Sequence, residues 1–483
     1  MHEVVTLQLG NLANYAATHF WNTQESYFTY DDAASSSSSS PPPLVDHNVH
    51  WRAGLGHDGT ETFLPRTIVY DVKAAFGSLR QVNALYQQEP GSASDSLWPA
   101  TSSAVLRQEP VLPNAYMQSL DDGVAELPNL TTAHVRYWSD YLHPHLHPRS
   151  IVSLHDVLLT SEMDRFAAGS HLFSSLDAEH DLVDRDWRPF AEECDLLQGA
   201  QVMTALDDAW SGFAASYLEA LRDEHPKMSI WVWALCGSQC DRPQPVMNVA
   251  NGFSLLFDQA SMLVPLCVPD EKDMPHIISL DPSSPWHISA LLSTAAECAA
   301  LPSRLRGQPV YLHDMAQSIN VAGNQPLASL SMALGSADAA AIDLFPHYPL
   351  SSFSRARTSR FPTTFGQFTT IRQTNNDEQQ VPVNTEEPQL SATLVRRCTS
   401  KLLCPLLSSF PPIFPQFHDC SAFPVRTVLA TSSSISTYIK SLQAQARRYV
   451  GPQEREALTN SLDQIADAYR GEFSYDSDDS FDD

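Results

Sequence analysis

Basic residues are scarce in this sequence, which has 29 lysines and arginines against 56 aspartates and glutamates and a formal net charge of −27. A surface of that sign repels the phosphates of nucleic acids and the headgroups of anionic lipids. The composition therefore argues against direct binding of nucleic acid. Any effect of the protein on DNA is expected to pass through protein partners.

Long apolar runs and targeting segments are also lacking. No stretch reaches the roughly 18 consecutive apolar residues that suggest a membrane span, so we expect no transmembrane segment. The start of the chain has no basic region followed by an apolar one, as a secretory signal has. Its first arginine is Arg52, whereas matrix presequences are rich in arginine. These features argue against import into the mitochondrial matrix and favour the cytosolic face for any contact with that organelle.

The eight cysteines form no CxxC pair and no dense framework. Several follow apolar runs, as Cys236 follows IWVWAL, which is typical of small buried thiols in a reducing compartment. A metal site at Cys236 and Cys240 would lack a second pair of ligands. The cysteines therefore predict neither disulfides nor a zinc site.

Motifs for common catalytic and metal sites are missing too. The sequence has no G-x-S-x-G elbow, no H-E-x-x-H pair and no P-loop lysine motif. His143, His145 and His147 alternate as residues on one face of a strand would, but Pro144 and Pro148 disrupt a strand there. We expect no metal centre.

The first residues carry the clearest local pattern. Val4 to Gln8 predict a buried strand that ends at Gly10, and apolar residues then recur at helical spacing from Leu12 to Phe20. A strand, a glycine turn and a helix open many nucleotide-binding α/β domains. The same opening also occurs in many domains that bind nothing there.

Further strands and helices alternate along the chain. Two more strands are predicted at 67–70 and 230–236, and the predicted helices cover 191–206, 213–224, 287–300 and a last segment that starts at Pro452 and is closed by Gly471. This alternation predicts an α/β fold with a parallel sheet covered by helices on both faces.

A chain of 483 residues exceeds one ordinary core, so two domains are expected. We predict a nucleotide-type domain over 1–285, a long central helix over 286–305, a smaller α+β domain over 306–471 and a disordered acidic tail over 472–483. Within them, residues 31–50 and 87–130 are predicted to be flexible insertions and 351–395 a mobile loop. The tail would either dock on a basic partner or serve solubility.

Four segments together resemble tubulin, in the order in which tubulin has them. They are MHEVVTLQLGNLANYAATHFW at the start, FLPRTIVYDVK, ECDLLQGAQVMTAL over 193–206 and LRDEHP over 221–226. The third is similar to the tubulin segment, taken to be a helix, that leads into the glycine-rich signature loop. The four matches are distributed over most of the range of residues 1–260.

The stretch VRYWSDYLHPHLHPRSI, residues 135–151, resembles the most distinctive part of the Misato family, a divergent relative of tubulin, and ordinary tubulins lack it. This resemblance implies a tubulin-like fold with a parallel, Rossmann-like N-terminal sheet, a long central helix and a smaller α+β second domain. It also implies a role in partitioning mitochondria and in the inheritance of mitochondrial DNA. Past residue 305 the resemblance is thin.

The loop that holds phosphate in tubulin, GGGTGSG, has no good counterpart here. The equivalent residues after Leu206 are Asp207, Asp208, Ala209, Trp210, Ser211 and Gly212. Two carboxylates repel a phosphate, and an indole fills space that bare backbone amides need. A magnesium ion held between the carboxylates and a phosphate would reverse the electrostatic part of this argument.

The resemblance assigns a vestigial nucleotide site to the residues Gln8, Gly10, Asn14, Asp71, Ser211, Gly212 and Asn251. For the first three, plain turn chemistry is the alternative. Lys73 stands where tubulin has an acid, and neither the Asn-Glu pair that recognises guanine nor the loop GxxNxD that activates water is found. We therefore expect no catalytic residues and no tubulin-type hydrolysis. No cofactor is expected, with GTP as the remaining candidate.

Three functions remain open on the sequence. The first is a non-catalytic, tubulin-like protein at the mitochondrial surface and in the cytoplasm that affects organelle distribution. The second is a divergent GTPase that still binds nucleotide and polymerises. The third is a cofactor in cytoskeletal assembly that binds tubulin or a chaperonin.

Overall fold

The computed structural model describes residues 2–28, 43–55, 61–79, 111–124, 126–154, 163–237, 242–270, 272, 274–335, 339–346, 362–373 and 394–470. The strands are β1 Glu3–Leu9, β2 Trp51–Leu55, β3 Glu61–Pro65, β4 Thr67–Val72, β5 Ile151–Leu154, β6 Leu197–Ala205, β7 Ser229–Cys236, β8 Met262–Cys267, β9 Ser329–Leu334, β10 Ile342–Asp343, β11 Thr364–Arg372, β12 Leu394–Ser400, β13 Cys404–Pro405, β14 Ala422–Phe423 and β15 Val425–Ser432. The α-helices are α1 Asn11–Glu25, α2 Ala115–Asp121, α3 Phe166–His180, α4 Arg188–Glu192, α5 Trp210–Glu224, α6 Pro243–Gln259, α7 Pro285–Ala300, α8 Leu312–Ile319, α9 Ser434–Ala446 and α10 Pro452–Ala468.

The first sheet has six parallel strands in the order β5-β4-β1-β6-β7-β8. Successive residues of its central strands face two different cores. On β1, for example, Val4 packs in the core on the side of α1 and α7, whereas Val5 packs in the core on the side of α3, α5 and α6. The predicted α/β class, with helices on both faces of a parallel sheet, is confirmed.

Most of the predicted elements are confirmed as well. The strands at 4–8, 67–70 and 230–236 are β1, β4 and β7, and the helices at 213–224 and 287–300 are α5 and α7. The last helix, α10, begins at Pro452 as predicted. Its predicted closing residue, Gly471, and the acidic tail lie outside the described residues.

The helix predicted over 191–206 is wrong, because the segment forms the central strand β6, paired with β1 and β7. Along β6, Val202 faces one core and Met203 the other, which is the period of two that a strand has. A strand buried on both faces has apolar and small residues at every position, and such a run matches helical spacing by chance. Gly199 pairs with Ser229 of β7, and only glycine fits there, because an added Cβ would lie 2.3 Å from the carbonyl oxygen of Ser229.

Three segments predicted to be irregular contain ordered structure. The predicted mobile loop 351–395 contains β11, which pairs with both β12 and β15. The predicted insertion 87–130 contains α2, which is capped by the Asn114 side chain accepting from the Met117 N–H. In the predicted insertion 31–50, Val45 is buried and bridges to Leu305. These short ordered pieces depend on pairing with distant residues, which composition does not reveal.

The second sheet has five strands in the order β10-β9-β15-β11-β12 and contains both antiparallel and parallel pairs. The helices after it, α9 and α10, return to the first domain and join the core on the side of α6. There the hydroxyl of Ser254 on α6 donates to that of Ser461 on α10, at 2.8 Å. The two predicted regions thus share one continuous hydrophobic face.

A buried ion cluster joins the domains. The carboxylate of Glu297 on α7 accepts hydrogen bonds from the guanidinium groups of Arg304 and Arg372 and from the hydroxyl of Tyr27, which follows α1. The side chains of the two arginines are 0% exposed and that of Glu297 is 2% exposed. Although burial alone would raise it, the charges of Arg372 and Arg304 hold the pKa of Glu297 below its usual value.

Arg372 also fastens the second sheet to the chain that follows it. Its guanidinium donates to the carbonyl oxygens of Leu402 at 2.8 Å and Leu403 at 2.6 Å. Because Arg372 lies on β11, Glu297 on α7 and Tyr27 beyond α1, one carboxylate connects three parts of the fold. We refer to Glu297, Arg304, Arg372 and Tyr27 as the Glu297 cluster.

Candidate functional site

The site that the resemblance points to lies at the carboxyl ends of β1, β4 and β6. Ligands in open α/β sheets bind at this edge, where the turns after neighbouring parallel strands meet. Leu9 pairs with both Tyr70 and Thr204, so the turns that follow these three residues converge. The turn at Gly10 is fixed by a hydrogen bond from its N–H to the carbonyl oxygen of Tyr70, at 3.1 Å.

Trp210 fills the space over this turn. Gly10 has φ +90°, and a Cβ added there would lie 2.4 Å from Cδ1 of the Trp210 indole. The indole itself is buried. A phosphate that approached the backbone of Gly10 would need the space that this ring occupies.

Asp208 occupies the N-terminus of α5. Its Oδ1 accepts from the backbone N–H of Trp210 at 2.8 Å, and its carbonyl oxygen accepts from the Ser211 hydroxyl at 2.7 Å. Helix N-termini attract anions because their first N–H groups have no partner within the helix. Here a carboxylate of the chain itself takes the place that a phosphate takes in nucleotide-binding domains.

The neighbouring Asp207 is also engaged. Its Oδ2 accepts from the backbone N–H of Gly237, which follows β7, at 2.8 Å. Its carbonyl oxygen accepts from Nδ2 of Asn248 at 2.8 Å. Both aspartates therefore hold the loop between β6 and α5 in place, and each carboxylate accepts a hydrogen bond from a backbone N–H.

Asn14 and Asp71, which the resemblance assigns to the vestigial site, lie side by side in the structure. The Asn14 side chain donates from Nδ2 to Oδ2 of Asp71 at 2.7 Å. Two further donors are the Val72 N–H at 2.9 Å and the indole N–H of Trp138 at 3.2 Å. Against the effect of these hydrogen bonds, burial raises the pKa of Asp71 to about 7.

Trp138 is a contact that the sequence analysis missed. It belongs to the Misato-like stretch 135–151, which was used there only as a mark of resemblance. The 3-10 turn over Trp138–Tyr141 is buried, and the Tyr141 hydroxyl donates to the carbonyl oxygen of Tyr15 on α1 at 2.8 Å. The distinctive stretch therefore covers α1 and closes one side of the site.

The remaining predicted residues have structural contacts. Gln8 lies within the sheet, where its Nε2 donates to Oγ1 of Thr67 at 2.8 Å. Asn251 donates to the carbonyl oxygen of Met247, one turn earlier on its own helix, at 3.0 Å. The structure therefore does not bring Gln8 or Asn251 to the hydrogen bonds of Asp71.

The resemblance assigns Asn251 to the site, but Asn248, one helical turn earlier, is the asparagine of α6 that contacts the loops beside the site. Its Oδ1 accepts from the Phe166 N–H at 2.9 Å, and its Nδ2 donates to the carbonyl oxygens of Asp164 and Asp207. A buried polar residue on an amphipathic helix is the signal that could have identified it. Asn248 links the segment before α3 to the loop before α5.

Gly212 serves helix packing. A Cβ added there would lie 2.0 Å from the carbonyl oxygen of Phe166, and one added at Gly169 would lie 1.7 Å from that of Ala209. The two glycines thus let α3 and α5 approach until backbone touches backbone. Ser211 and Gly212 could match the tubulin loop only if one residue is deleted, and both are buried residues of α5.

The carboxylates of the site repel one another. Burial, then the charges of Asp71 and Asp164, raise the pKa of Asp208 to about 7. An aspartate with a raised pKa binds its proton more tightly in the folded protein, so this part of the stability is complete below pH ~4 and is lost as the pH rises through about 7. Ionisation of Asp208 therefore lowers the free energy of unfolding most above neutral pH.

Replacing Asp208 with asparagine should flatten this pH dependence. Asparagine still caps the helix but carries no charge. Burial and the neighbouring carboxylates disfavour the charged form of Asp208, and water screens this half-buried side chain, so we expect a gain of about 1–2 kcal/mol at pH 8. Urea unfolding at pH 5 and pH 8 measures it. A variant that is less stable than the parent at pH 8 would contradict the repulsion.

The three histidines at 143, 145 and 147 do not form a ligand set. The ring of His143 is bonded to the Tyr116 hydroxyl at 2.7 Å, and burial lowers the pKa of His143 to about 4. Nδ1 of His147 accepts from the Arg149 N–H at 3.1 Å. Within the described ranges, no three His, Cys, Asp or Glu side chains are grouped as metal ligands. Cys240 lies outside those ranges.

The helices of the described residues are too short or too polar to cross a membrane.

Two family models match the chain. Residues 2–122 match the model described as the Misato Segment II tubulin-like domain, and residues 127–305 match the model described as the tubulin domain. Together they cover the first sheet, the site and the central helix.

Three named relatives are similar to the chain, and the two fungal ones align over nearly all of it. Protein DML1 of Gibberella zeae is 46% identical over 495 residues, which span 97% of both chains. Protein dml-1 of Neurospora crassa is 39% identical over 555 residues and spans all of both. Protein misato homolog 1 of Bos taurus is 30% identical over 368 residues, which span 67% of this chain and 63% of the bovine one. The likeness to the fungal proteins therefore includes the second sheet and the C-terminal helices.

Proposed function

Given that the chain belongs to the Misato family of tubulin-like proteins, we propose that it is a non-catalytic interaction protein that acts in the partitioning of mitochondria and the inheritance of mitochondrial DNA. The observation that carries the non-catalytic part is the Trp210 indole against Gly10. The mitochondrial part rests on the resemblance of residues 135–151 to the distinctive Misato stretch.

Three contacts act against a bound triphosphate. The indole of Trp210 takes the space over the first turn, and the carboxylate of Asp208 takes the N–H at the start of α5. The contact between Gly212 and Phe166 brings α3 close against the first turn of α5. A phosphate placed there would also lie near Asp71, Asp164 and Asp208, and each of these carboxylates repels it when ionised, by roughly 4 kcal/mol at about 4 Å near a protein surface.

Magnesium would not easily relieve this repulsion. A metal ion prefers carboxylate oxygens that are free to coordinate it. In Asp207 and in Asp208 one carboxylate oxygen already accepts a backbone N–H at 2.8 Å, so a magnesium ion that used this oxygen would weaken a hydrogen bond that holds the loop.

The purified protein is expected to carry no guanine nucleotide and to show no GTP hydrolysis above background. Denaturing the protein and separating the supernatant by chromatography measures the nucleotide, with tubulin treated in the same way as a positive control. One guanine nucleotide per chain would overturn the argument that Trp210 and Asp208 block the phosphate site, on which the non-catalytic proposal rests. So would steady hydrolysis that the change Asp207→Ala abolishes, because a contaminating enzyme would be insensitive to that change.

The proposed place of action is the cytosolic face of mitochondria. Protease added to intact mitochondria is expected to degrade the protein while a matrix protein stays protected, and depletion of the protein is expected to disturb mitochondrial distribution and lower the content of mitochondrial DNA. Protection from the protease would contradict the cytosolic face. Normal mitochondria after depletion, with tubulin or a chaperonin as the main co-purifying protein, would favour a role in cytoskeletal assembly.

The net charge of −27 indicates the chemistry of the partner. A strongly acidic protein associates fastest with a basic surface, and this attraction weakens as salt rises. We therefore expect the partner to present lysines and arginines to this chain.

A further inference from the structure

Buried polar atoms without partners gather around Phe20 and Trp21, near the start of β4 and away from the site described above. Three side chains there are at least nine-tenths buried: His50 before β2, Arg66 before β4 and Arg304 after α7. Neither ring nitrogen of His50 has a hydrogen-bond partner, and the same holds for Nε of Arg66, Nε and Nη1 of Arg304 and Nε1 of Trp21. We refer to His50, Arg66 and Arg304 as the basic cluster.

Shared neighbours hold the basic cluster together. The ring of His50 lies 5.2 Å from that of Phe20 and 6.0 Å from that of Trp21, between centroids. The guanidinium carbon of Arg304 lies 5.6 Å from the same Phe20 centroid. The backbone N–H of Arg66 donates to the carbonyl oxygen of His50 at 2.8 Å. Burial, then the charges of Arg304 and Arg66, hold the pKa of His50 well below its usual value.

Arg66 has no acidic counter-ion among the described residues, where no carboxylate oxygen lies within 4 Å of its guanidinium. Its two terminal nitrogens donate to Sγ of Cys194 and to the carbonyl oxygen of Trp51, both at 3.4 Å. Burial raises the pKa of the Cys194 thiol to about 11, so the thiol supplies no negative charge. The buried carboxylate of Glu3 accepts from the Leu196 N–H instead.

Arg304 is only partly compensated as well. Its Nη2 donates to Glu297, but the same carboxylate also serves Arg372. Two guanidinium groups therefore share one negative charge in the Glu297 cluster, and Arg66 adds a third cation nearby. The basic cluster combines an excess of positive charge with donors that have no acceptor.

We propose that His50, Arg66 and Arg304 bind a small monovalent inorganic anion of the chloride type beside Phe20. A buried donor without an acceptor is unfavourable, and the basic cluster has several such donors. Water could accept these hydrogen bonds, but it would leave the positive charge uncompensated. A monovalent ion suits the site better than a phosphate, because stripping water from a multiply charged ion costs far more in a fully buried position.

Thermal unfolding in chloride tests the proposal. At constant ionic strength, replacing sodium gluconate with sodium chloride is expected to raise the melting temperature. Once chloride exceeds the concentration that half-saturates the site, each tenfold increase in chloride concentration should raise the melting temperature by an equal step. Arg66→Met should lose this dependence. Arg188→Met, which removes an arginine whose side chain is 47% exposed, should keep it.

Diffraction from crystals of the full chain soaked in bromide gives a second measurement that does not depend on a variant folding. We expect an anomalous peak within hydrogen-bonding distance of Nε of Arg66 and the His50 ring, and its loss when chloride replaces bromide. Water alone at this position, equal melting in the two salts, or a chloride effect that survives in Arg66→Met would each overturn the proposal.

Discussion

Replacing Glu297 with glutamine is expected to lower the free energy of unfolding by about 3–5 kcal/mol, because it removes the one negative charge that the buried guanidinium groups of Arg304 and Arg372 share. Glutamine has nearly the same shape, so the effect reports the charge more than a cavity. Urea unfolding at pH 7, followed by circular dichroism, measures the loss.

The matched control is an ion pair of the same kind at the surface. Asp467 and Arg470 are 59% and 52% exposed, and Asp467→Asn is expected to change stability by no more than about 0.5 kcal/mol. If both variants lost the same small amount, the Glu297 cluster would contribute no more than a surface pair. Replacing all three charged residues with apolar ones of similar size should recover part of the loss.

The pH dependence has a definite sign. The folded pKa of Glu297 lies below the unfolded value, so its contribution is present above the unfolded pKa and is lost as the pH falls through the folded one. The parent protein should therefore lose more stability than Glu297→Gln on going from pH 7 into acid. This trend is opposite to that expected for Asp208, whose folded pKa is raised.

The second large effect is expected at the crossing of α3 and α5. Gly212→Ala places a methyl group where the Phe166 carbonyl oxygen lies 2.0 Å away, and this oxygen cannot rotate aside as a side chain would. The helices must separate, which we expect to cost about 3 kcal/mol. Urea unfolding of the variant tests the value.

Helix propensity makes the opposite prediction for Gly212→Ala, since alanine favours a helix over glycine by about 1 kcal/mol. The sign of the change therefore decides which effect dominates. Gly307→Ala is the control, because an added Cβ there has no atom within 4 Å and stability should stay nearly unchanged. A Gly212→Ala protein as stable as the parent would show that separating α3 and α5 costs only about the 1 kcal/mol that the helix propensity of alanine offsets, which would contradict the expected cost.

The sequence predicted the elements whose patterns are local. Val4 to Gln8, the turn at Gly10 and the helix after it follow from burial and spacing over a few residues. The sequence pattern of β6 predicts a helix, which is wrong, because both faces of the strand are buried. Its apolar residues therefore do not alternate with polar ones, and this alternation is what distinguishes a strand from a helix in a sequence. Gly199 and Gln201 within β6 are paired with residues of both β1 and β7.

The candidate site was predictable only in part. The carboxylates and the indole after Leu206 could be identified from the sequence, because their size and charge are properties of the residue types. The hydrogen bonds of Trp138 to Asp71 and of Asn248 to Asp207 join residues that are 67 and 41 positions apart. Such contacts depend on how the chain returns to the same edge of the sheet, and no local pattern contains that information.

The contact between Trp210 and Gly10 also constrains how this chain can evolve. Removing the indole alone would leave a cavity that costs about 3–5 kcal/mol, while Asp208 would still cap α5 and α3 would still lie against Gly212. Each single step back toward a phosphate loop therefore lowers stability before it gains any affinity. A phosphate-binding loop could therefore arise here only through several simultaneous substitutions, and we expect single changes at this corner of the molecule to be poorly tolerated.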